Sequence, residues 1–188
     1  MRRLHTFCLH LATAGTLIAL DLWSKAAIFR HLGADIIERP GQTTSVHAER
    51  VVVLFPGFAL EAAMNPGAFN GMLASVGWLL LAISVIAVFG TLAIALVPKR
   101  MPVFITLALG LIAGGAAGNF YDRLQYGAVR DFVKWYYRDL VWPNFNLADS
   151  GIVVGVSLIL WCELVSARRE KRTALHAEKG AAAPTTES

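Results

Sequence analysis

Charged residues are scarce in this sequence: Asp, Glu, Lys and Arg make up only 16% of its 188 residues, whereas a soluble domain usually has about 25%. Apolar residues make up 56%, and the mean hydropathy is +0.55. This composition excludes a disordered or collagen-like chain and favours an integral membrane protein. Only two cysteines occur, Cys8 and Cys162, both within apolar segments. Neither a disulfide framework nor a CxxC metal site is therefore expected.

The net charge is positive but is not arranged for nucleic acid. The formal charge is +4, and a nucleic-acid binder gathers its basic residues on one solvated face. Here most of them stand at the ends of apolar runs, as membrane anchors do. Nucleic acid is therefore not expected as a partner.

Four apolar segments approach the length of about 20 residues that a helix needs to cross a bilayer core. They cover residues 4–29, 72–97, 102–118 and 152–167, and the first is interrupted by His10, Asp21 and Lys25. The sequence predicts an all-α membrane bundle of four transmembrane helices. A single four-span membrane domain would cover residues 1–172, followed by a disordered cytoplasmic tail over residues 173–188.

Basic clusters indicate the orientation of these helices, because lysine and arginine mark the cytoplasmic side. With four spans, one side of the membrane receives all of the clusters at the helix ends: Arg2, Arg3, Lys99, Arg100, Arg168, Arg169, Lys171 and Arg172. Both termini are therefore expected in the cytoplasm. A cleavable signal peptide is the alternative for the N-terminus, but the small residues from Ala12 to Ala14 come too early to end one.

Two connecting segments are then expected outside the membrane. The first contains Val51-Val52-Val53-Leu54-Phe55, which is typical of a strand and stops at Pro56-Gly57. A small external β element is expected there. In the second, residues 131–141 are rich in aromatics, which is typical of a segment at headgroup level.

Two polar clusters lie near the first two helices and have open interpretations. Asp21 and Lys25 are four residues apart, so they can pair on one helix face. That pair is either a structural ion pair or a functional group in the membrane. Asn65 precedes the second helix. It is either a residue of the turn that enters this helix or a side-chain amide that holds the backbone of an extended peptide.

Two further clusters each place an aspartate near the outer membrane boundary. Asp131 follows the third helix, and Asp149 precedes the fourth. Two carboxylates held together in a poorly solvated site share a proton, so one can accept a proton from water while the other donates to a carbonyl. Taken singly, Asp149 could be only a helix N-cap, and Asp122 with Arg123 only a surface ion pair.

Five blocks of this sequence resemble the lipoprotein signal peptidase (signal peptidase II) family of bacterial membrane aspartic proteases. The blocks are D-x-x-S-K at 21–25, N-x-G-A at 65–68, G-N-x-x-D-R at 118–123, V-x-D-F at 129–132 and F-N-x-A-D-S at 145–150. Any one block is weak. Their order, spacing and fit to four spans make the resemblance specific.

The resemblance implies that Asp131 and Asp149 are a catalytic dyad. It further implies dyad-supporting or substrate-binding roles for the other matching positions, which are Asp21, Lys25, Asn65, Gly67, Asn119, Asp122, Arg123, Asn146 and Ala148. The implied activity is removal of signal peptides from diacylglyceryl-modified prolipoproteins at the outer face of the inner membrane. Membrane lipids are further expected contacts. No metal or organic cofactor is implied, and a monomer is expected.

The sequence departs from the family pattern in two places. Phe69 follows Ala68 directly and Asn70 takes the usual aromatic position, which puts the fit of the second block in question. Arg130 stands where an apolar residue is more usual. Its positive charge beside Asp131 should favour the ionised carboxylate, so Asp131 is expected to be the more acidic partner.

Two other function classes fit parts of the sequence. Asp21, Lys25 and Asp122 could carry ions in a transporter or proton-relay subunit, but such a protein needs polar residues across the whole bilayer. The small residues Gly114, Gly115 and Gly118 could pack against a partner helix in an assembly scaffold. A scaffold would not require both Asp131 and Asp149.

Overall fold

The computed structural model describes residues 2–38, 44–67, 77–97 and 101–181. Within them are four helices: α1 (Arg2–His31), α2 (Gly77–Leu96), α3 (Val103–Tyr126) and α4 (Leu147–Ala181). All four are long and apolar enough to cross a membrane. At 1.5 Å per residue, even the shortest spans about 30 Å. The prediction of four spanning helices is confirmed.

Helix α3 lies at the centre of the bundle, where it packs against α1, α2 and α4. More than half of its spanning segment is buried, whereas less than a quarter of each other spanning segment is. Their exposed side chains include large apolar ones such as Ile86 and Phe89. An aqueous protein rarely shows so much apolar surface, whereas lipid tails accommodate it.

Small residues allow α3 to approach its neighbours closely. A Cβ atom at Gly115 would collide with the carbonyl oxygen of Ala148 on α4, and one at Gly118 would lie 2.5 Å from Asp21 Oδ2 on α1. Gly114 is similarly close to Ala14 on α1. These glycines are thus occupied by contacts within the chain, as small residues at membrane helix interfaces usually are.

The β structure is larger than predicted. Six strands form within the described residues: β1 (Ala34–Ile37), β2 (Ser45–Ala48), β3 (Val52–Phe55), β4 (Phe58–Asn65), β5 (Val129–Tyr137) and β6 (Leu140–Phe145). The first two form an antiparallel pair, and the others form an antiparallel sheet in the order β3-β4-β5-β6. The aromatic segment at residues 131–141 is therefore part of this sheet.

A small apolar core joins the sheet to the end of α1. Phe29 and Leu32 of α1 pack with Ala62 of β4 and Phe132 of β5, and each is at most 9% exposed. Burying a large apolar side chain of this kind contributes about 1.5–3 kcal/mol. The core therefore fixes the height of β5 relative to α1.

Helix α3 continues beyond Gly118, where the apolar segment suggested its end. It ends at Tyr126, and Gly127 closes it in the left-handed conformation with φ 67°, donating its N–H to Arg123 O at 3.0 Å. A glycine in this position is a common helix stop. The apolar segment stops earlier because the last turns of the helix carry polar residues, of which Asn119 and Asp122 are buried.

Helix α4 is longer than predicted at both ends. It begins at Leu147 instead of near residue 152, because its first turn carries the capping residues described below. It continues past Arg172 to Ala181, through a sequence rich in good helix formers. The other predictions made for residues 68–76, 98–100 and 182–188 lie outside the described residues.

Candidate active site

The first turn of α4 is closed by a reciprocal pair of side chains. Asn146 is the N-cap, and its Oδ1 accepts the backbone N–H of Asp149 at 2.9 Å. In return, Asp149 Oδ2 accepts the backbone N–H of Asn146 at 3.2 Å. This is a capping box with asparagine and aspartate. The N-cap is thus Asn146, and Asp149 stands three residues later, where the helix dipole favours negative charge.

Asp131 lies on β5, opposite Ala63 of β4. Its carboxylate is 1% exposed and accepts two side-chain hydrogen bonds. Asn65 Nδ2 donates to Oδ2 at 3.0 Å, and Asn146 Nδ2 donates to Oδ1 at 2.7 Å. A strand therefore carries this aspartate.

A chain of two amides connects the two aspartates. Asn146 Nδ2, which contacts Asp131, also donates to Asn119 Oδ1 at 3.1 Å. Asn119 Nδ2 in turn donates to Asp149 Oδ1 at 2.7 Å. Asp131 and Asp149 are 18 positions apart along the chain but belong to one hydrogen-bonded cluster of side chains.

Fixed donors set the direction of both amides. Lys25 Nζ, which can only donate, lies 3.1 Å from Asn119 Oδ1. The amide nitrogen of Asn119 must therefore face Asp149. Likewise, the backbone N–H of Asp149 holds Asn146 Oδ1, so the amide nitrogen of Asn146 faces Asp131.

Beneath this cluster lies a buried network of balanced charges. Lys25 Nζ is 2.7 Å from Asp21 Oδ2 and 3.1 Å from Asp122 Oδ2, and all three side chains are fully buried. Arg130 Nη2 is 2.7 Å from Asp122 Oδ1. Two carboxylates and two cations therefore compensate one another. The predicted pair of Asp21 and Lys25 is present, whereas Asp122 pairs with Lys25 and Arg130 and forms no surface ion pair with Arg123.

Asp21 also ties α1 to the start of α4. Its Oδ1 accepts the backbone N–H of Ala148 at 2.9 Å. This bond satisfies one of the amide groups that a helix N-terminus leaves unpaired. Ala148 contributes through its backbone and through its small side chain, which is fully buried.

The carboxyl group of Asp131 is not the acidic partner that the sequence suggested. Burial raises its pKa from 3.8 to about 7, helped by the nearby charge of Asp149, and the bonds from Asn65 and Asn146 only partly oppose this. The expectation from Arg130 was wrong because its guanidinium turns to Asp122, away from the Asp131 carboxylate. At neutral pH, Asp131 is thus close to half protonated.

Arg123 is a further cation near Asp131 and Asp149. Its Nη1 donates to the carbonyl oxygen of Asn119 at 3.5 Å, and its charge attracts Asp149, Asp131 and Asp122. Its Nε is buried without a hydrogen-bond partner among the described residues. This guanidinium can therefore balance negative charge at the two aspartates.

A cleft of about 350 Å³ opens beside Asp131. Its walls come from the ends of β4 and β6, with the residues Ala63, Met64, Asn65, Pro66, Val141, Trp142, Pro143 and Asn144. Asp149 does not line this cleft. A ligand in it would therefore reach Asp131 first.

All of the predicted site residues except Gly67 lie either in the hydrogen-bonded cluster around Asp131 and Asp149 or in the buried charge network beneath it. Gly67 is nearby and donates its backbone N–H to Asn65 Oδ1 at 3.1 Å, which holds the Asn65 side chain in a turn. The β6 wall of the cleft was not predicted from the sequence. A proline and an asparagine at 143 and 144, just before a helix cap, were the signal that could have indicated it.

Asn146 both caps α4 and contacts Asp131. Separating these two roles requires a variant that keeps the cap. Serine at this position retains an N-cap oxygen but loses the amide that contacts Asp131. We expect Asn146→Ser to lower the rate of any reaction that uses the Asp131 carboxyl by about 10- to 100-fold, because that carboxyl would be misplaced. Its thermal unfolding midpoint should stay within a few degrees of wild type. Asn146→Ala should lose the cap as well and be less stable than the serine variant; equal stability would contradict this division of roles.

Comparison with known proteins gives matches across most of the chain. A family model described as Signal peptidase (SPase) II matches residues 13–165. A lipoprotein signal peptidase of Symbiobacterium thermophilum is 40% identical over 127 residues, which cover 67% of this chain and 82% of the relative. One of Dichelobacter nodosus is 36% identical over 152 residues, covering 76% and 97%.

Two solved structures share the fold. One, a bacterial membrane enzyme determined by the in meso method at 1.9 Å resolution, is 25% identical with a TM-score of 0.64, covering 82% of this chain and 92% of that one. Another, determined by the same method at 2.3 Å, is 23% identical with a TM-score of 0.67, covering 84% and 88%.

Proposed function

Since the chain belongs to the signal peptidase II family and removes signal peptides from prolipoproteins, we propose that Asp131 and Asp149 are its catalytic pair. The observation that carries this proposal is the amide chain through Asn146 and Asn119, which holds both carboxylates in one buried cluster. No other two carboxylates among the described residues share such a cluster beside a cleft.

The raised pKa of Asp131 assigns the roles within the pair. Asp131 holds the shared proton and donates it to the oxygen of the scissile carbonyl. Asp149, negatively charged at the N-terminus of α4, accepts a proton from the attacking water molecule. The resulting tetrahedral diol collapses when Asp149 returns its proton to the leaving nitrogen and Asp131 recovers a proton from a diol hydroxyl.

The neighbouring residues support this chemistry from fixed positions. Asn119 and Asn146 orient the carboxylates, and Arg123 balances their negative charge. Asn65 holds Asp131 from the side of the cleft and is placed to contact a substrate backbone there. Asp21, Lys25 and Asp122 form the rigid floor under these residues.

The site lies at one end of the bundle, where α1 and α3 end and α4 begins. The basic clusters at the start of α1 and in the C-terminal part of α4 are towards the other end. Because basic residues favour the cytoplasmic side, we place both termini inside and the site at the outer face of the inner membrane. A diacylglyceryl-modified cysteine is held at headgroup depth by its lipid, which brings the adjacent peptide bond to the level of this site.

The rival classes account for fewer of the contacts. A transporter would need its charged residues exposed to a path, but Asp21, Lys25 and Asp122 are fully buried and mutually paired. A scaffold would need free glycine surfaces, but Gly114, Gly115 and Gly118 already contact α1 or α4. Neither alternative is supported by the family comparisons.

The pH dependence of cleavage tests the proposed proton sharing. We expect the purified enzyme to release a peptide ending directly before the modified cysteine of a diacylglyceryl prolipoprotein. Its kcat/KM should fall as the pH rises through about 7, because Asp131 then loses the proton that it must donate. The measured pKa will be that of the coupled pair. A rate that stays constant from pH 6 to 9 would contradict the assignment.

A further inference from the structure

Two bulges interrupt the four-stranded sheet, one on each side of β5. Compared with β5, which lies between them, β4 has an extra residue in the segment that contains Glu61, and β6 has one in the segment that contains Asn144. Bulges re-aim side chains and are common next to active sites. The two bulges therefore direct attention to these two polar residues.

Side chains from three strands meet at the bulges. Glu61 Oε2 lies 2.6 Å from Lys134 Nζ of β5 and accepts a hydrogen bond from Asn144 Nδ2 of β6 at 3.4 Å. Glu61 thus reaches across β5 to the strand at the edge of the sheet. The Glu61 and Lys134 side chains are about 30% exposed, and exposed pairs of this kind contribute little to stability. Their place beside the cleft points to a role in the site.

The contact with Glu61 sets the direction of the Asn144 amide. A carboxylate paired with an ammonium group only accepts hydrogen bonds, so the amide nitrogen of Asn144 faces Glu61. In the part of the chain that the structure describes, no donor bonds the oxygen of this amide, Oδ1. Asn144 lines the cleft beside Asp131. Its Oδ1 is therefore an acceptor available to a ligand in the cleft.

The β4 wall of the cleft offers the complementary group. Asn65 Oδ1 is already bonded by the backbone N–H of Gly67, and Asn65 Nδ2 donates to Asp131. An amide nitrogen carries two hydrogens, so Asn65 Nδ2 can donate to one more acceptor. One wall thus supplies a donor and the opposite wall an acceptor.

An extended peptide between these walls matches both groups. Its backbone presents N–H and C=O groups along its two edges, and a backbone group that is buried without a partner costs free energy. A peptide C=O that faces β4 can accept from Asn65. A peptide N–H that faces β6 can donate to Asn144 Oδ1.

From these contacts we propose that Asn144 binds the backbone of the substrate, accepting through Oδ1 a peptide N–H close to the scissile bond. Glu61 and Lys134 are positioning residues, because they hold the Asn144 amide in the orientation that presents its oxygen. The inference rests on the proposed reaction at Asp131, since that reaction is what makes the cleft a substrate site.

Binding to a variant that does not cleave tests the contact itself. We expect Asn144→Ala to weaken the binding of a diacylglyceryl-modified prolipopeptide to the Asp131→Asn enzyme by about 3- to 10-fold, as the loss of one hydrogen bond does. In the active enzyme, the same substitution should raise KM and leave kcat nearly unchanged, because the contact is made equally before and during the reaction. Unchanged affinity would overturn the proposal.

Ester analogues of the substrate identify the peptide group. In a series of prolipopeptides, an ester oxygen replaces one backbone N–H at a time near the cleavage position. One of these esters should bind Asp131→Asn at least as weakly as the parent peptide binds the Asn144→Ala, Asp131→Asn double variant. The double variant should bind that ester and the parent peptide equally well. If every ester weakens binding to both proteins by the same factor, Asn144 Oδ1 has no N–H partner and the proposal fails.

A second pair of variants tests the positioning role of Glu61. Glutamine at this position can donate as well as accept, so Asn144 can turn its oxygen towards it. Glu61→Gln should raise KM by about threefold and add nothing in the Asn144→Ala background, because it acts through Asn144. An equal rise in both backgrounds would overturn this role.

The matched control is Glu49→Gln, which removes the same charge from an exposed residue that does not line the cleft. It should leave KM unchanged. Cleavage of the parent peptide by Asp131→Asn would refute the catalytic assignment, whereas the affinity differences at Asn144 would remain measurable and would still decide the contact.

Discussion

Replacing Asp131 with asparagine should lower the rate of prolipoprotein cleavage by about 10³-fold or more. Asparagine has nearly the same shape, so it can still accept a hydrogen bond from Asn146 or Asn65. It cannot, however, hold or donate the carboxyl proton that the proposed reaction requires. A gel-shift assay on a lipidated prolipoprotein measures the loss, and binding of the uncleaved substrate should persist. Asp149→Asn should be similarly inactive.

The matched control is Asp139→Asn, since Asp139 is exposed in the β5–β6 turn and far along the strand from the site. It should cleave at the wild-type rate. Cleavage by Asp131→Asn at a rate near wild type would rule out the assigned chemistry.

Stability measurements separate lost chemistry from lost structure in this variant. Burial raises the pKa of Asp131 from 3.8 to about 7, so the folded protein binds this proton more tightly than the unfolded chain. That contribution favours folding at low pH and is lost as the pH rises from about 4 to 7. Asp131→Asn has no carboxyl to ionise and should be at least as stable as wild type at pH 8. A much lower unfolding midpoint there would show that the inactive variant is misfolded.

Replacing Lys25 with methionine should cause the largest loss of stability among the supporting residues. Lys25 is fully buried and contacts Asp21 and Asp122, so its removal leaves two buried carboxylates with too little positive charge. Breaking a buried ion pair in this way typically costs about 3–5 kcal/mol. The thermal unfolding midpoint in detergent should fall by about 10 °C. Activity should also fall, because Asn119 loses the donor that sets its direction.

Lys134→Met is the matched control for this experiment. Lys134 Nζ lies 2.6 Å from Glu61 Oε2, a shorter distance than either Lys25 pair, but both side chains are about 30% exposed. Exposed pairs contribute at most about 1 kcal/mol. Equal destabilisation by the two substitutions would show that the stabilising effect of Lys25 does not depend on the burial of its ion pairs.

The sequence predicted the helices and the site cluster better than it predicted the sheet. Apolar runs long enough for a bilayer indicate a span by themselves, because backbone groups in lipid can be satisfied only within a helix or a closed barrel. Strands β1, β2 and β6 are four to six residues long and lack a clear alternation. Their pairing depends on residues that are remote in the chain, so no local pattern indicated the four-stranded sheet.

Site membership was predictable, but the partners of each residue were not. The motif blocks contained Asp122, Arg130 and Asn146, yet they did not show that Arg130 turns to Asp122. That contact depends on the Gly127 turn, which reverses the chain between α3 and β5. The same reversal explains why the expected acidity of Asp131 was wrong. Arg130 is next to Asp131 in the sequence, but in the folded protein its guanidinium contacts Asp122.

The bond from Asp21 to Ala148 has a consequence for how the protein is made. It joins the side chain of a residue in α1 to the backbone of a residue in α4, 127 positions apart. Until α4 has been inserted, Asp21 lacks this partner and Asp149 is absent from the bundle. With Asp149 as one of the proposed catalytic pair, we expect a chain in which only α1 to α3 have entered the membrane to have no proteolytic activity until α4 follows.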